Sequence, residues 1–165
     1  MLHDELANPS YLHSIIITDL KPDTAYFYRI KSAGRVFKVD NTNTLLPAIK
    51  TASIMESLSM SDPLYSRVFS SPTIPLLSGL IQISVVNREN KSPVSSTLSA
   101  ITDNYGLWLI NLGNLRSIDL GSPYIFKGNE LLKIKITTSN GISKTFYKEI
   151  VKPKLPDITL SDERR

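Results

Sequence analysis

Three observations predict an all-β chain. Short apolar runs alternate with period two, turn residues punctuate them, and no stretch longer than ten residues carries the 3.6 period and caps of an amphipathic helix. The alternation is cleanest in Leu132, Ile134 and Ile136, which interleave with Lys133 and Lys135 to give one face to bury and one to solvate. At 165 residues the chain is long enough for one ordinary domain or two small ones. Its 41% hydrophobic and 21% charged content supports a real core and excludes a disordered chain.

In order, the first unit (1–51) predicts strands over Leu12–Thr18, Ala25–Ser32 and, after the Ala33-Gly34 turn, Arg35–Val39. Residues 52–73 are rich in serine (Ser53, Ser57, Ser59, Ser61, Ser66, Ser70, Ser71), hold Pro63 and Pro72, and read as a linker with at most one helical turn at Ile54–Met60. Residues 74–152 return to short strands: Leu77–Asn87, Ser95–Thr102, Trp108–Leu112, Glu130–Ser139 and Ser143–Val151. Asp103-Asn104-Tyr105-Gly106 and Asn140-Gly141 supply the positive-φ positions of tight turns. Residues 153–165 are polar, contain Pro153 and Pro156, and read as a tail.

Much chemistry is excluded at once. The absence of cysteine removes disulfides, zinc knuckles and a thiol nucleophile. Only His3 and His13 are available for a metal site or a Ser-His-Asp triad, and both lie at the N-terminal end. No glycine-rich phosphate loop, Gly-x-Ser-x-Gly elbow or His-Glu-x-x-His is present, so neither catalytic residues, a cofactor nor a metal is expected. Asp19, Asp23 and Asp103 are the types that serve as calcium ligands or general acids, but they lack the density of a calcium loop and suit turn positions. Asn90-Lys91-Ser92 is formally a glycosylation sequon.

The net charge is +4, and between Gly121 and Pro156 seven lysines face two glutamates. Attraction to a polyanion is one interpretation. A solvated strand face that discourages edge-to-edge pairing is favoured, since arginines are few and no aromatics interleave; no nucleic-acid partner is expected. No apolar run is long enough to cross a membrane as a helix, so no membrane insertion is expected. The acidic start Met1-Leu2-His3-Asp4-Glu5 lacks the features of an export signal, as expected of a cytoplasmic chain or of a piece whose signal lies upstream.

The most specific pattern is Leu20-Lys21-Pro22-Asp23-Thr24-Ala25-Tyr26, the Leu-x-Pro-x-Thr-x-Tyr spacing of a tyrosine corner. Pro22 fixes φ in the turn, Leu20 is expected to cap a core, and the Tyr26 hydroxyl reaches back to the turn backbone. On these residues the first unit resembles the last three strands of a fibronectin type III domain, and is also similar to the fibronectin-like domains that precede the catalytic part of purple acid phosphatases. A complete domain needs about 90–100 residues, so the resemblance implies that the first strands lie upstream of Met1.

The third region contains Leu77-Ser78-Gly79-Leu80, then Ser92-Pro93-Val94, then Thr102-Asp103-Asn104-Tyr105-Gly106-Leu107-Trp108. This order is similar to carboxypeptidase-regulatory-like and Ig-like modules of bacterial surface proteins. Together the resemblances imply an Ig-like or fibronectin III-type antiparallel sandwich, incomplete in the first domain, followed by a second small β-sandwich. The implied function is a non-catalytic extracellular spacer or adhesion module of a multidomain bacterial protein. Its partners would be neighbouring domains of a larger chain and a cell-surface glycan or protein. An accessory region of a secreted hydrolase is the alternative, as is a carbohydrate-binding module with Trp108, Tyr105 and Tyr124 as stacking platforms. Trp108 alternates with Ile110 and Leu112, which places it in the core. Leu107 and Leu109 fall on the opposite face, so the partition is apolar on both sides.

Overall fold

The structure, a computed structural model, describes residues 12–13, 15–32, 34–37, 48–54, 61–150 and 153–161. Its strands form antiparallel sheets with one parallel pairing, and the chain is all-β.

In the N-terminal unit, β1 (Ala25–Phe27) pairs antiparallel with β4 (Ala48–Lys50), and β2 (Ile30–Ser32) pairs with β3 (Arg35–Phe37). The strand expected over Ala25–Ser32 is therefore broken at Tyr28-Arg29, because its two halves take different partners. Gly34 supplies the positive φ of the β2–β3 turn. Among the described residues of the strand expected over Leu12–Thr18, none lies in a strand. Isoleucine-rich sequence favours extended backbone, but a strand is held by a neighbour's ladder, and no described strand pairs there; Ile16 is 83% exposed.

Residues 61–150 and 153–161 build a sandwich of two sheets. The first is four-stranded, in the order β11 (Ser143–Lys148), β10 (Glu130–Thr137), β7 (Leu80–Asn87) and β8 (Leu98–Ile101), all antiparallel. The second is organised around β5 (Pro63–Ser71). On one edge β5 meets β12 (Ile158–Thr159) in parallel. On the other it pairs first with β9 (Leu107–Asn111), then with β6 (Ile74–Pro75). Period-two alternation sends Ile81, Ile83, Leu132, Ile134 and Ile136 inward from the first sheet. Leu64, Val68, Trp108, Ile110, Leu155 and Ile158 meet them from the second. Each such aliphatic contributes roughly 1.5–3 kcal/mol when fully buried.

Two expected boundaries are corrected. Residues 63–71 are not linker but the central strand of the second sheet, and 155–160 are not tail. β5 turns Leu64, Ser66 and Val68 to the core, and its middle inward position is a serine, which hid the alternation. Ser66 can be buried because its hydroxyl donates to the Pro156 carbonyl at 3.0 Å, so the serine's own polar group is matched. Leu155, Ile158 and Leu160 complete the same wall. The sandwich thus extends beyond 74–152 at both ends.

The turn Thr102–Gly106 joins the two sheets. The Thr102 hydroxyl donates to Leu76 O at 2.7 Å and accepts from Gly79 N–H at 2.8 Å. The Asp103 carboxylate accepts from the N–H groups of Tyr105 and Leu107 at 2.8 and 2.9 Å. Gly106 has φ of 71°, and a Cβ there would lie 2.3 Å from the Val68 carbonyl oxygen. That close approach lets Val68 N–H donate to Gly106 O at 2.9 Å.

Two outcomes follow. In hydrogen exchange on the full chain, the amides of Tyr65, Val68, Leu155 and Leu160 are expected to be protected as strongly as those of β10; exchange at the rate of an unstructured peptide would restore the linker assignment. For Gly106→Ala, left-handed strain of about 1–3 kcal/mol adds to the clash with a backbone oxygen, so denaturant unfolding is expected to show a loss of at least about 2 kcal/mol. A loss under about 0.5 kcal/mol would contradict the close approach.

Candidate functional site

The three aromatic residues expected as stacking platforms do not form one surface. Trp108 is 1% exposed and lies in the core between the sheets, so it presents no face to a ligand. Alternation along β9 decides this, since its inward set of Trp108 and Ile110 meets the first sheet. Its indole N–H is buried with no partner among the described residues. Tyr105 is 73% exposed at the tip of the turn before β9. Tyr124 lies beyond the other end of that strand, where its N–H donates to Leu115 O at 3.0 Å. At about 3.3 Å per residue, β9 alone separates them by some 15 Å.

Tyr124 is tied to a buried carboxylate. Its hydroxyl donates to Glu130 Oε1, while Lys127 N–H donates to Oε2 at 2.8 Å. The ring meets Phe126 edge-on, with centroids 5.4 Å apart and planes at 86°. Glu130 is itself buried, at the first position of β10. Burial, followed by the hydrogen bond to Glu130 and its charge, holds the Tyr124 hydroxyl well above the usual tyrosine range. The pair ties the 115–127 loop to the start of β10.

The Leu20–Tyr26 segment is held by local bonds. The Tyr26 hydroxyl accepts from Lys21 N–H at 2.7 Å, and the Thr24 hydroxyl donates to Pro22 O at 2.8 Å. Thr51 clasps the turn, its hydroxyl donating to Lys21 O at 2.6 Å and accepting from Thr24 N–H at 2.9 Å. Leu20, expected to cap a core, is exposed. Asp19 and Asp23 both adopt positive φ, and Asp23 pairs with Lys50 at 2.7 Å. Among the described residues no group of three or more His, Asp or Glu side chains is placed to hold a metal ion. His13 is exposed, and His3 lies outside the described residues. Asn90 is exposed in the β7–β8 loop, where its side-chain oxygen accepts from Ser92 N–H. No described helix is long and apolar enough to cross a membrane.

The lysine-rich segment does not form one patch. Lys133 and Lys135 stand on the outer face of the first sheet. Lys144 and Lys148 occupy the alternate face of β11, opposite Ile136 and Leu132 of β10, and Lys144 Nζ donates to Leu160 O. Just past the ends of β7 and β11, Arg88 and Glu149 form a two-pronged ion pair, both N–O distances 2.6 Å, and Lys91 Nζ lies 5.4 Å from the Tyr147 ring centre. The guanidinium hydrogen bonds hold the Glu149 carboxyl below its usual range.

Two grooves remain. One, of about 520 Å³, opens beside Leu76, Leu77, Ile142 and Leu160; the single charged side chain lining it is Lys144, already engaged with Leu160. The other, of about 440 Å³, lies on the outer face of the second sheet and is walled by Tyr65, Ser66, Arg67, Leu107, Leu109 and Lys154. Strand register assembles it. Tyr65 stands opposite Leu109, Arg67 opposite Leu107, and Lys154 beside Tyr65 on the other edge. Sequence reasoning missed this group because Tyr65 and Arg67 fell in the supposed linker and Lys154 in the supposed tail. The one signal was the second apolar face of β9.

The Tyr124–Glu130 pair has a pH signature. A hydroxyl whose folded pKa is raised stabilises the fold fully below the unfolded value of about 10, and that contribution is lost as pH climbs above it. Stability is therefore expected to fall above about pH 10, and Tyr124→Phe to reduce the slope of that fall. An unchanged slope in denaturation measured from pH 9 to 11 would remove the assignment to Tyr124.

No protein-family model matches the sequence, and no curated protein is significantly similar to it.

Proposed function

We propose that the chain is a non-catalytic module of a larger extracellular protein on a bacterial surface, acting as a spacer and adhesion element between neighbouring domains. The observation that carries this proposal is the parallel pairing of the sandwich's first and last strands. Val68 faces Ile158 and Phe69 faces Thr159, in parallel register. Backbone bonds flank the pair: Tyr65 N–H to Pro153 O, Leu155 N–H to Tyr65 O, and Leu160 N–H to Phe69 O, at 3.0, 3.0 and 2.8 Å.

Because β5 and β12 run the same way, the chain enters the sandwich at one end and leaves at the opposite one. The nine residues of β5 put entry and exit about 25 Å apart along the strand axis. An antiparallel last strand would return the chain to its point of entry. The observed arrangement suits modules strung in line. Tension on the ends also slides β5 against β12, so the bonds between them share the load instead of opening one by one. The resemblance to surface modules carried by Thr102, Asp103, Gly106 and Trp108 supports the same reading, and these residues hold backbone or core.

Force spectroscopy tests the spacer role. The full chain tethered at residues 61 and 161 is expected to rupture in one step, at a higher force than when tethered at residues 139 and 161, a geometry that pulls from the β10–β11 turn. Equal rupture forces in the two geometries would contradict a load-bearing role for the β5–β12 pair.

A further inference from the structure

The outer face of the second sheet departs from the rule that a sandwich turns polar residues to water. Leu109 is 61% exposed, and Leu107 stands beside it on the same face, while Trp108 and Ile110 take the inward positions. Tyr65 is half-buried between the Leu109 strand and Lys154. Arg67 lies two residues along β5 on the same face as Tyr65, about 7 Å away along the strand. Arg67 and Lys154 are both exposed. Neither forms an ion pair with a described residue, and no carboxylate lines the groove. The site thus combines an aromatic ring, an aliphatic floor and two cations that form no ion pair with a described residue.

We propose that this groove binds an anionic saccharide of the uronic acid type. The apolar C–H face of a pyranose rests on Tyr65 and Leu109, and its carboxylate is held by Arg67 and Lys154. A guanidinium takes a carboxylate through two parallel hydrogen bonds, and the lysine adds a compact charge from the far side of the ring. Size favours a saccharide over a protein partner. The volume of about 440 Å³ falls within the roughly 300–1,000 Å³ of small-ligand sites. Its wall of six residues is far short of the roughly 20–30 a side that a stable protein interface uses. Charge complementarity favours an acidic sugar over a neutral one, since a neutral ligand would leave both cations unmatched. The site gives the adhesion part of the proposed function a ligand class, and rests on that part alone. Binding measurements and rupture forces therefore fail independently.

Tetragalacturonate titrated into the full chain, followed by calorimetry and amide chemical shifts, tests the site. Saturable binding is expected, with shifts confined to residues 65–67, 107–109 and 154. Arg67→Gln and Lys154→Gln, at exposed positions, are each expected to weaken binding about tenfold with no change in melting temperature. Leu109→Ala should weaken it without altering its salt dependence. Neutral galactotetraose and tetraglutamate serve as comparators, and both are expected to bind at least about tenfold more weakly. The proposal is overturned if tetragalacturonate gives no saturable binding at millimolar concentration, or if the charge variants bind it unchanged. Equal binding of tetraglutamate would overturn it in favour of an acidic peptide, and equal binding of galactotetraose would show that the cations take no part.

Discussion

Hydrogen bonding in the second sheet converges on one strand. β12, β9 and β6 each pair with β5, and the parallel and antiparallel contacts occupy its two opposite edges. Ser66 lets this work. It is small enough for the core, and its hydroxyl reaches the Pro156 carbonyl, so the strand that follows is held by a side chain as well as by the ladder. Gly106 does the equivalent on the other edge, where only a hydrogen in place of a side chain allows the β8–β9 turn to approach the Val68 carbonyl. The core position of Trp108 depends on both, because β9 can turn Trp108 inward only when its register on β5 is fixed.

One exposed edge, β11, is managed by charge. β11 ends the first sheet and carries Lys144 and Lys148 on its core-side alternation, where an incoming strand would have to desolvate them. Lys144 does more than discourage pairing. By donating to the Leu160 carbonyl it links the edge of the first sheet to the last residues of the second. The lysines of β10 and β11 therefore divide between an outer face and a guarded edge.

How much was legible in the sequence depended on how local the cause was. β7, β9, β10 and β11 were readable to within a few residues, because each carries its alternation internally and is bounded by turn residues such as Asp103 to Gly106 and Asn140-Gly141. β5 was not, since a buried serine interrupts its apolar face and its neighbours are serine and proline. β12 was not, since two residues beside prolines become a strand only through pairing with Val68 and Phe69. Leu12–Thr18 erred in the opposite sense, with strand composition but no described ladder. The groove around Tyr65 was hidden for the same reason as β5. Its residues come from three segments, and only the register between them places an aromatic ring beside two cations.

The pairing of β5 with β12 also sets the order in which this chain can fold. Ser66 and Pro156 are 90 residues apart, so the contact has high sequence separation and its loop-closure entropy must be met late. During synthesis at roughly 5–20 residues per second, β5, β7, β8 and β9 leave the ribosome well before Leu155, Ile158 and Leu160. Until those three arrive, one edge of β5 shows unpaired backbone, and Leu64 and Val68 lack part of their cover. The nascent chain thus presents an open strand edge for several seconds, a template that another chain could join. Completion of the sandwich by its final residues closes that window.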